Sequence, residues 1–145
     1  MFAKGMADWL SLYSKVPVRL AQEGDRPLPG VALLAGTNDH LHFASAGVLG
    51  YTAAPLEVPH RPSVDVFFES VVAHWPGRAI GVLLTGMGRD GARGLKAMRA
   101  NGYYTIAQDA PSCAVYGMPK AAAEMAAASV VLPLTGIAPA LVQHV

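Results

Sequence analysis

The spacing of apolar residues changes near residue 62, and that change divides the chain into two kinds of structure. Before it, helical spacing predicts a first helix over about 4–14, followed by an extended stretch over 16–21 and a turn at Glu23-Gly24-Asp25. Three short strand candidates follow, at 31–35, 41–44 and 48–52, separated by turn signals at Asn38-Asp39 and Ala46-Gly47. Such closely spaced strands predict an antiparallel region. A linker with Pro55, Pro59 and Pro62 closes this half.

After Pro62 helix and strand alternate. Ser63 is placed as an N-cap, and Val64, Phe67, Phe68, Val71 and Trp75 share one apolar face, read as core packing. A buried strand at 79–84 breaks at glycines. It precedes a helix over 92–100, with Ala92, Leu95 and Met98 at helical spacing and Asn101-Gly102 as the stop. A strand at 103–107 comes next, then an alanine-rich helix opened by Pro119 and running to about 127, a strand at 129–132 and a closing helix at 136–142. Strands separated by helices imply right-handed crossovers and a parallel sheet. The fold class expected is α/β, doubly wound and mainly parallel, with an antiparallel hairpin region.

Composition narrows the picture. The 145 residues suit one domain, and 52% hydrophobic against 14% charged residues suits a sheet buried on both faces, or a fragment lacking a covering layer. A net charge of +1 offers no basic face, so nucleic acid is not an expected partner. One cysteine excludes an intrachain disulfide and a thiolate zinc cluster. The opening residues carry Lys4 and Asp8 and no signal-peptide core. Residues 125–145 lack formal charge, yet Pro133, Gly136 and Pro139 split them into strand and helix, so membrane insertion is not expected.

The chemistry concentrates in Gly86-Met87-Gly88-Arg89-Asp90-Gly91, the loop at the carboxyl end of the 79–84 strand, where open α/β sheets place ligands. Three readings compete. The loop satisfies G-x-G-x-x-G, with Asp109 near where a ribose-binding acid would lie, although Asp90 would repel a pyrophosphate at the helix N-terminus. Asp90 could instead cap the helix it precedes. Or it could be a catalytic acid.

Residues 84–88 followed by Asp90-Gly91-Ala92 resemble the acid loop of the chemotaxis protein-glutamate methylesterase catalytic domain. So, in the same order, do Glu23-Gly24-Asp25 with Leu28-Pro29-Gly30, His60-Arg61-Pro62-Ser63-Val64-Asp65, Ala107-Gln108-Asp109, and Ser112-Cys113 with Gly117-Met118-Pro119. The resemblance covers nearly the whole chain. It implies a serine nucleophile, a histidine base and an orienting aspartate, the last at Asp90, with Gly86, Met87 and Gly88 forming the active-site loop and the Met87 amide helping to bind the oxyanion. It implies no metal or organic cofactor.

The chain departs from the family pattern. Its opening, Met1 to Leu10, resembles the helix that follows the family's histidine, so the serine turn and the histidine are expected upstream of Met1. The domain is therefore expected to be 1–145, incomplete at its N-terminus and without a receiver domain. No substitute stands out. His60 and Arg61 are expected to line or support the cleft. His40 and His42 alternate on a strand, one of them facing solvent, so a surface histidine is the reading there; His74 and His144 read as rim residues, and Cys113 as a small buried hydrophobe beside Ser112.

The resulting expectation is a cytoplasmic enzyme segment that hydrolyses glutamyl methyl esters on chemoreceptor helices, with glutamine deamidation as a further activity. The chain alone is expected to be inactive and prone to self-association. The alternatives are a non-catalytic receptor- or partner-binding module derived from the esterase, and a dinucleotide-binding domain.

Overall fold

A computed structural model describes residues 2–145. Helix α1 (Phe2–Tyr13) leads into β1 (Val18–Leu20) and β2 (Ala32–Leu34), and β3 (His40–Ser45) and β4 (Val48–Thr52) form a hairpin. Then come α2 (Val64–His74), β5 (Ile80–Leu83), α3 (Ala92–Ala100), β6 (Tyr104–Gln108), α4 (Met118–Glu124), β7 (Val130–Leu132) and α5 (Leu134–His144). The second half matches the alternation read from the sequence.

Strands β5, β6 and β7 make a parallel sheet in that order, with Val82 opposite Ile106 and Ala107 opposite Val131. The central strand is buried from Thr105 to Gln108, as expected of a strand covered on both faces. The expected antiparallel group needs one correction. β3 and β4 pair antiparallel, but β2 pairs parallel with β1, Val18 facing Ala32 and Leu20 facing Leu34. The loop at Glu23-Gly24-Asp25 carries the chain back to begin β2 in the same direction as β1. The Ala21 amide, which donates to Leu34 O at 2.8 Å, closes that crossover.

Two apolar clusters hold the elements together. Leu83, Ala92, Leu95, Ala107, Ala121 and Ala122 pack the sheet against α3 and α4. Leu41, Phe43, Leu49, Val71 and Met98 pack the hairpin against α2, with the Phe67 and Trp75 rings tilted against Phe43 at ring separations of 5.8 and 5.2 Å. Phe68 touches both clusters, so α2 joins them. Ser70 adds a polar tie, its hydroxyl accepting from Phe43 N at 2.9 Å and donating to Phe67 O at 2.7 Å.

α4 stops at Glu124, earlier than the alanine run suggests. Ala126 turns left-handed (φ 55°) and Ala127 N reaches back to Ala122 O at 2.9 Å, a Schellman-type stop. Arg99 stabilises it by donating to the carbonyls of Ala126 and Ala128, both at 2.9 Å. No described helix is long and apolar enough to cross a membrane.

Candidate active site

The loop after β5 is clamped from two sides. Gln108, 1% exposed at the end of β6, accepts from Thr85 N at 2.7 Å and donates to Ser112 O at 2.8 Å. Thr85 Oγ1 donates to Val115 O and accepts from Val115 N, at 3.0 and 2.7 Å. Gly86 N donates to Val115 O, and Gly86 O accepts from Gly117 N and Met118 N. Gly117 permits this approach: a Cβ there would stand 2.5 Å from Gly86 O and 2.9 Å from Gly88 N. Gly88 and Gly91 take the left-handed conformation (φ 88° and 93°) that lets the loop turn. The Met87 side chain stands in solvent, 82% exposed, and among the described residues its amide donates to no backbone carbonyl.

Asp90 lies beyond the carboxyl end of β5, half-buried, and its carboxylate does not cap the helix it precedes. The N-cap of α3 is Gly91, with no side-chain bond. The Asp90 carboxylate instead reaches α2. It accepts from Ser63 Oγ (2.8 Å), Val64 N (2.8 Å) and Asp65 N (3.1 Å). Ser63 Oγ in turn accepts from Val66 N at 3.3 Å, and Phe67 N bonds Ser63 O. The Val64, Asp65 and Val66 amides, which no intrahelical partner can serve, are thus all satisfied, and Phe67 N makes the first intrahelical bond. The arrangement is reciprocal, because Asp65 Oδ1 accepts from Gly94 N at 2.7 Å in the first turn of α3.

Two helix N-termini therefore meet with one carboxylate from each strand–helix unit between them. Each positive helix end stabilises a carboxylate there. Glycine makes the crossing close enough: a Cβ on Gly94 would stand 2.7 Å from Phe68 Cβ and 3.1 Å from the Asp65 backbone. Nearby, the Arg93 guanidinium is held further in its charged form, first by its hydrogen bond to Glu69 at 2.8 Å and then by the charges of Glu69, Asp65 and Asp90.

Sequence reasoning placed Ser63 as a helix cap and missed its second bond, to Asp90. It also missed the role of His40. The ring is fully buried, and its Nδ1 accepts from Ser63 N at 3.0 Å. His42, the other member of the pair of which one was expected to face solvent, is half-buried, and desolvation lowers its pKa from 6.5. Both corrections follow from the hairpin's packing: α2 covers one face of β3 and the Glu23 loop approaches its neighbour β4, where Glu23 Oε1 accepts from Tyr51 N. His60 and Arg61 are exposed, Arg61 donating to Ala53 O. A cavity of about 900 Å³ includes neither; it lies at the opposite end of the sheet, between Arg78, Tyr103, Tyr104 and His144.

The dinucleotide reading loses its support. Gly88 and Gly91 serve the turn, the Asp90 carboxylate fills the space between helix ends, and Asp109 is engaged with Ser112 Oγ at 2.6 Å. Cys113 is partly exposed rather than buried.

Comparison with known proteins bears on the family and the fold. Residues 1–141 match the CheB methylesterase family. The chain is 67% identical over 144 residues to a protein-glutamate methylesterase/protein-glutamine glutaminase of Burkholderia pseudomallei (strain K96243), covering 99% of this chain and 42% of that protein. It is 64% identical over 143 residues to the corresponding protein of Pseudomonas syringae pv. syringae (strain B728a), covering 99% of this chain and 43% of that one. The fold superposes on the crystal structure of the Thermotoga maritima CheB methylesterase catalytic domain with a TM-score of 0.92 at 31% identity, over 99% of this chain and 78% of that one. The chain thus spans less than half the length of the curated relatives it matches.

Proposed function

The chain belongs to the CheB methylesterase family, and from that membership we propose that residues 1–145 form the acid-bearing segment of a protein-glutamate methylesterase domain. In this reading Asp90 orients and electrostatically supports a histidine that takes the proton of a nucleophilic serine. The serine attacks the glutamyl ester carbonyl, the Met87 amide helps hold the resulting oxyanion, methanol leaves, and water releases the glutamate. Glutamine deamidation follows the same course, with ammonia leaving. Serine and histidine come from the part of the domain beyond these residues. The substrates are methylated chemoreceptor helices in the cytoplasm, with His60 and Arg61 on the rim.

The observation that carries the reading is the clamped loop, which presents Asp90 and a free Met87 amide together at the carboxyl end of β5. Self-association of the chain alone belongs to the same reading. α1 contacts chiefly β1 and leaves Phe2, Trp9, Leu12 and Tyr13 more than half exposed, an apolar face suited to further protein.

One observation favours a second reading, a non-catalytic binding module, for the chain by itself. Among the described residues no histidine bonds Asp90, and Ser63 beside it is buried, only 3% exposed, with its hydroxyl turned to the carboxylate. A joined enzyme separates the two. The upstream segment of the Burkholderia pseudomallei relative is fused to this chain, and methanol release from methylated receptor is measured. We expect turnover from the fusion, none from residues 1–145, and a loss of several orders of magnitude in the fusion carrying Asp90→Ala. Full turnover by that variant would sink the proposal.

A further inference from the structure

We infer that His40 and Ser63 are positioning residues for the Asp90 carboxylate, forming a buried strut from the hairpin to the acid loop. The inference rests on the proposed role of Asp90 only in its consequence for turnover. The geometry stands on its own.

The strut is continuous. His40, at the start of β3 and fully buried, accepts the Ser63 amide on Nδ1 at 3.0 Å; Ser63 then donates its hydroxyl to Asp90 Oδ1 at 2.8 Å. The hydroxyl also accepts from Val66 N, which fixes its proton toward Asp90. Ser63 is therefore held through its amide by the hairpin and through its side chain by α2. The carboxylate is left with one orientation that satisfies the hydroxyl and the Val64 and Asp65 amides together.

The residue type at position 40 is otherwise costly. Because Nδ1 accepts, the ring proton of the neutral imidazole sits on Nε2. That atom is buried and has no hydrogen-bond partner among the described residues. A leucine would fill the space without a stranded donor. What leucine cannot do is accept the Ser63 amide at the entrance to α2, the point from which the Asp90 carboxylate is held. A histidine placed for packing alone has no reason to direct Nδ1 there. The serine, histidine and aspartate here are the residue types of a hydrolytic triad, but they are wired in another order. The histidine touches the serine amide rather than its hydroxyl, so the set orients an acid and activates no nucleophile.

Hydrogen exchange at single amides of the 145-residue chain tests the strut. In His40→Leu we expect the Ser63, Val64 and Asp65 amides to exchange about ten-fold faster or more, the effect of losing one well-made bond at each step, with β5–β6 amides unchanged. His40→Asn, whose side-chain oxygen can stand near the Nδ1 position, restores most of the protection. Ser63→Ala, a smaller change that spares the hairpin, accelerates Val64 and Asp65. Unchanged Val64 and Asp65 exchange in both His40→Leu and Ser63→Ala overturns the inference, as does His40→Asn behaving like His40→Leu.

In the fused enzyme His40→Leu should lower kcat about ten-fold with KM unaltered, the mark of a misplaced catalytic group. It should add nothing when Asp90 is already alanine. Equal losses in both backgrounds would show that His40 acts elsewhere and overturn the positioning role. If Asp90→Ala itself left turnover intact, the functional proposal would fail, while the exchange measurements would still decide the strut.

Discussion

Asp90→Ala should destabilise this chain, which is not what removal of a purely catalytic carboxylate does. Functional residues are commonly neutral or costly to stability, so their deletion is tolerated by the fold. Here the carboxylate also serves the Val64 and Asp65 amides and the Ser63 hydroxyl at the start of α2. Replacing a capping side chain by alanine costs about 1–2 kcal/mol, and losing a negative charge at a partly buried helix N-terminus adds about 0.5–1 kcal/mol. The site is half-buried, so water recovers part of each bond, and the lower halves of these ranges apply. The net expectation is about 2 kcal/mol, or a fall in Tm of about 6 °C at roughly 3 °C per kcal/mol for a chain of this size. Asp90→Asn keeps an acceptor and loses the charge, and should cost about half as much. Urea denaturation followed by circular dichroism, at a concentration where light scattering shows no aggregation, gives both values. An Asp90→Ala chain within about 0.5 kcal/mol of the parent, the usual scatter of a surface substitution, would refute the capping account.

Three further outcomes follow from the same contacts. Gly117→Ala drives a Cβ into Gly86 O and Gly88 N, backbone atoms that cannot rotate away, so it should cost about 1–3 kcal/mol in the same denaturation experiment and shift the residue 86–88 amide resonances; unchanged resonances would contradict it. Gln108→Leu removes the partner of the Thr85 amide and of Ser112 O, and should cost about 1–2 kcal/mol while raising exchange at Thr85 more than at Ile106. His42 is held neutral by burial, its folded pKa below 6.5, so its contribution to stability is complete above about pH 6.5 and is lost as pH falls through the folded value. Melts between pH 7.5 and 4.5 should therefore decline in the parent and decline less in His42→Gln. The Arg19-paired Asp25, whose pKa is lowered from 3.8 first by its hydrogen bond from Arg19, acts only at still lower pH and leaves that window clear.

The sequence by itself determined the parts governed by local rules. Ser63 caps α2, Asn101 and Gly102 end α3 and Pro119 opens α4, because capping, left-handed stops and proline's fixed φ depend on a few neighbouring residues. Strand β5 was legible from an apolar run, and the acid loop from its glycines. What Asp90 touches was not legible. Ser63 and Asp90 are 27 positions apart, and the histidine that supports Ser63 lies another 23 back, so the strut joins three elements with no spacing rule between them. Tertiary structure decided it by crossing α2 and α3 at Gly94, where two helix ends with unserved amides came within reach of each other's carboxylates. It also decided that β2 runs parallel to β1 and that His40 is core rather than surface. Period-two alternation names the two faces of a strand but not which of them another element will cover.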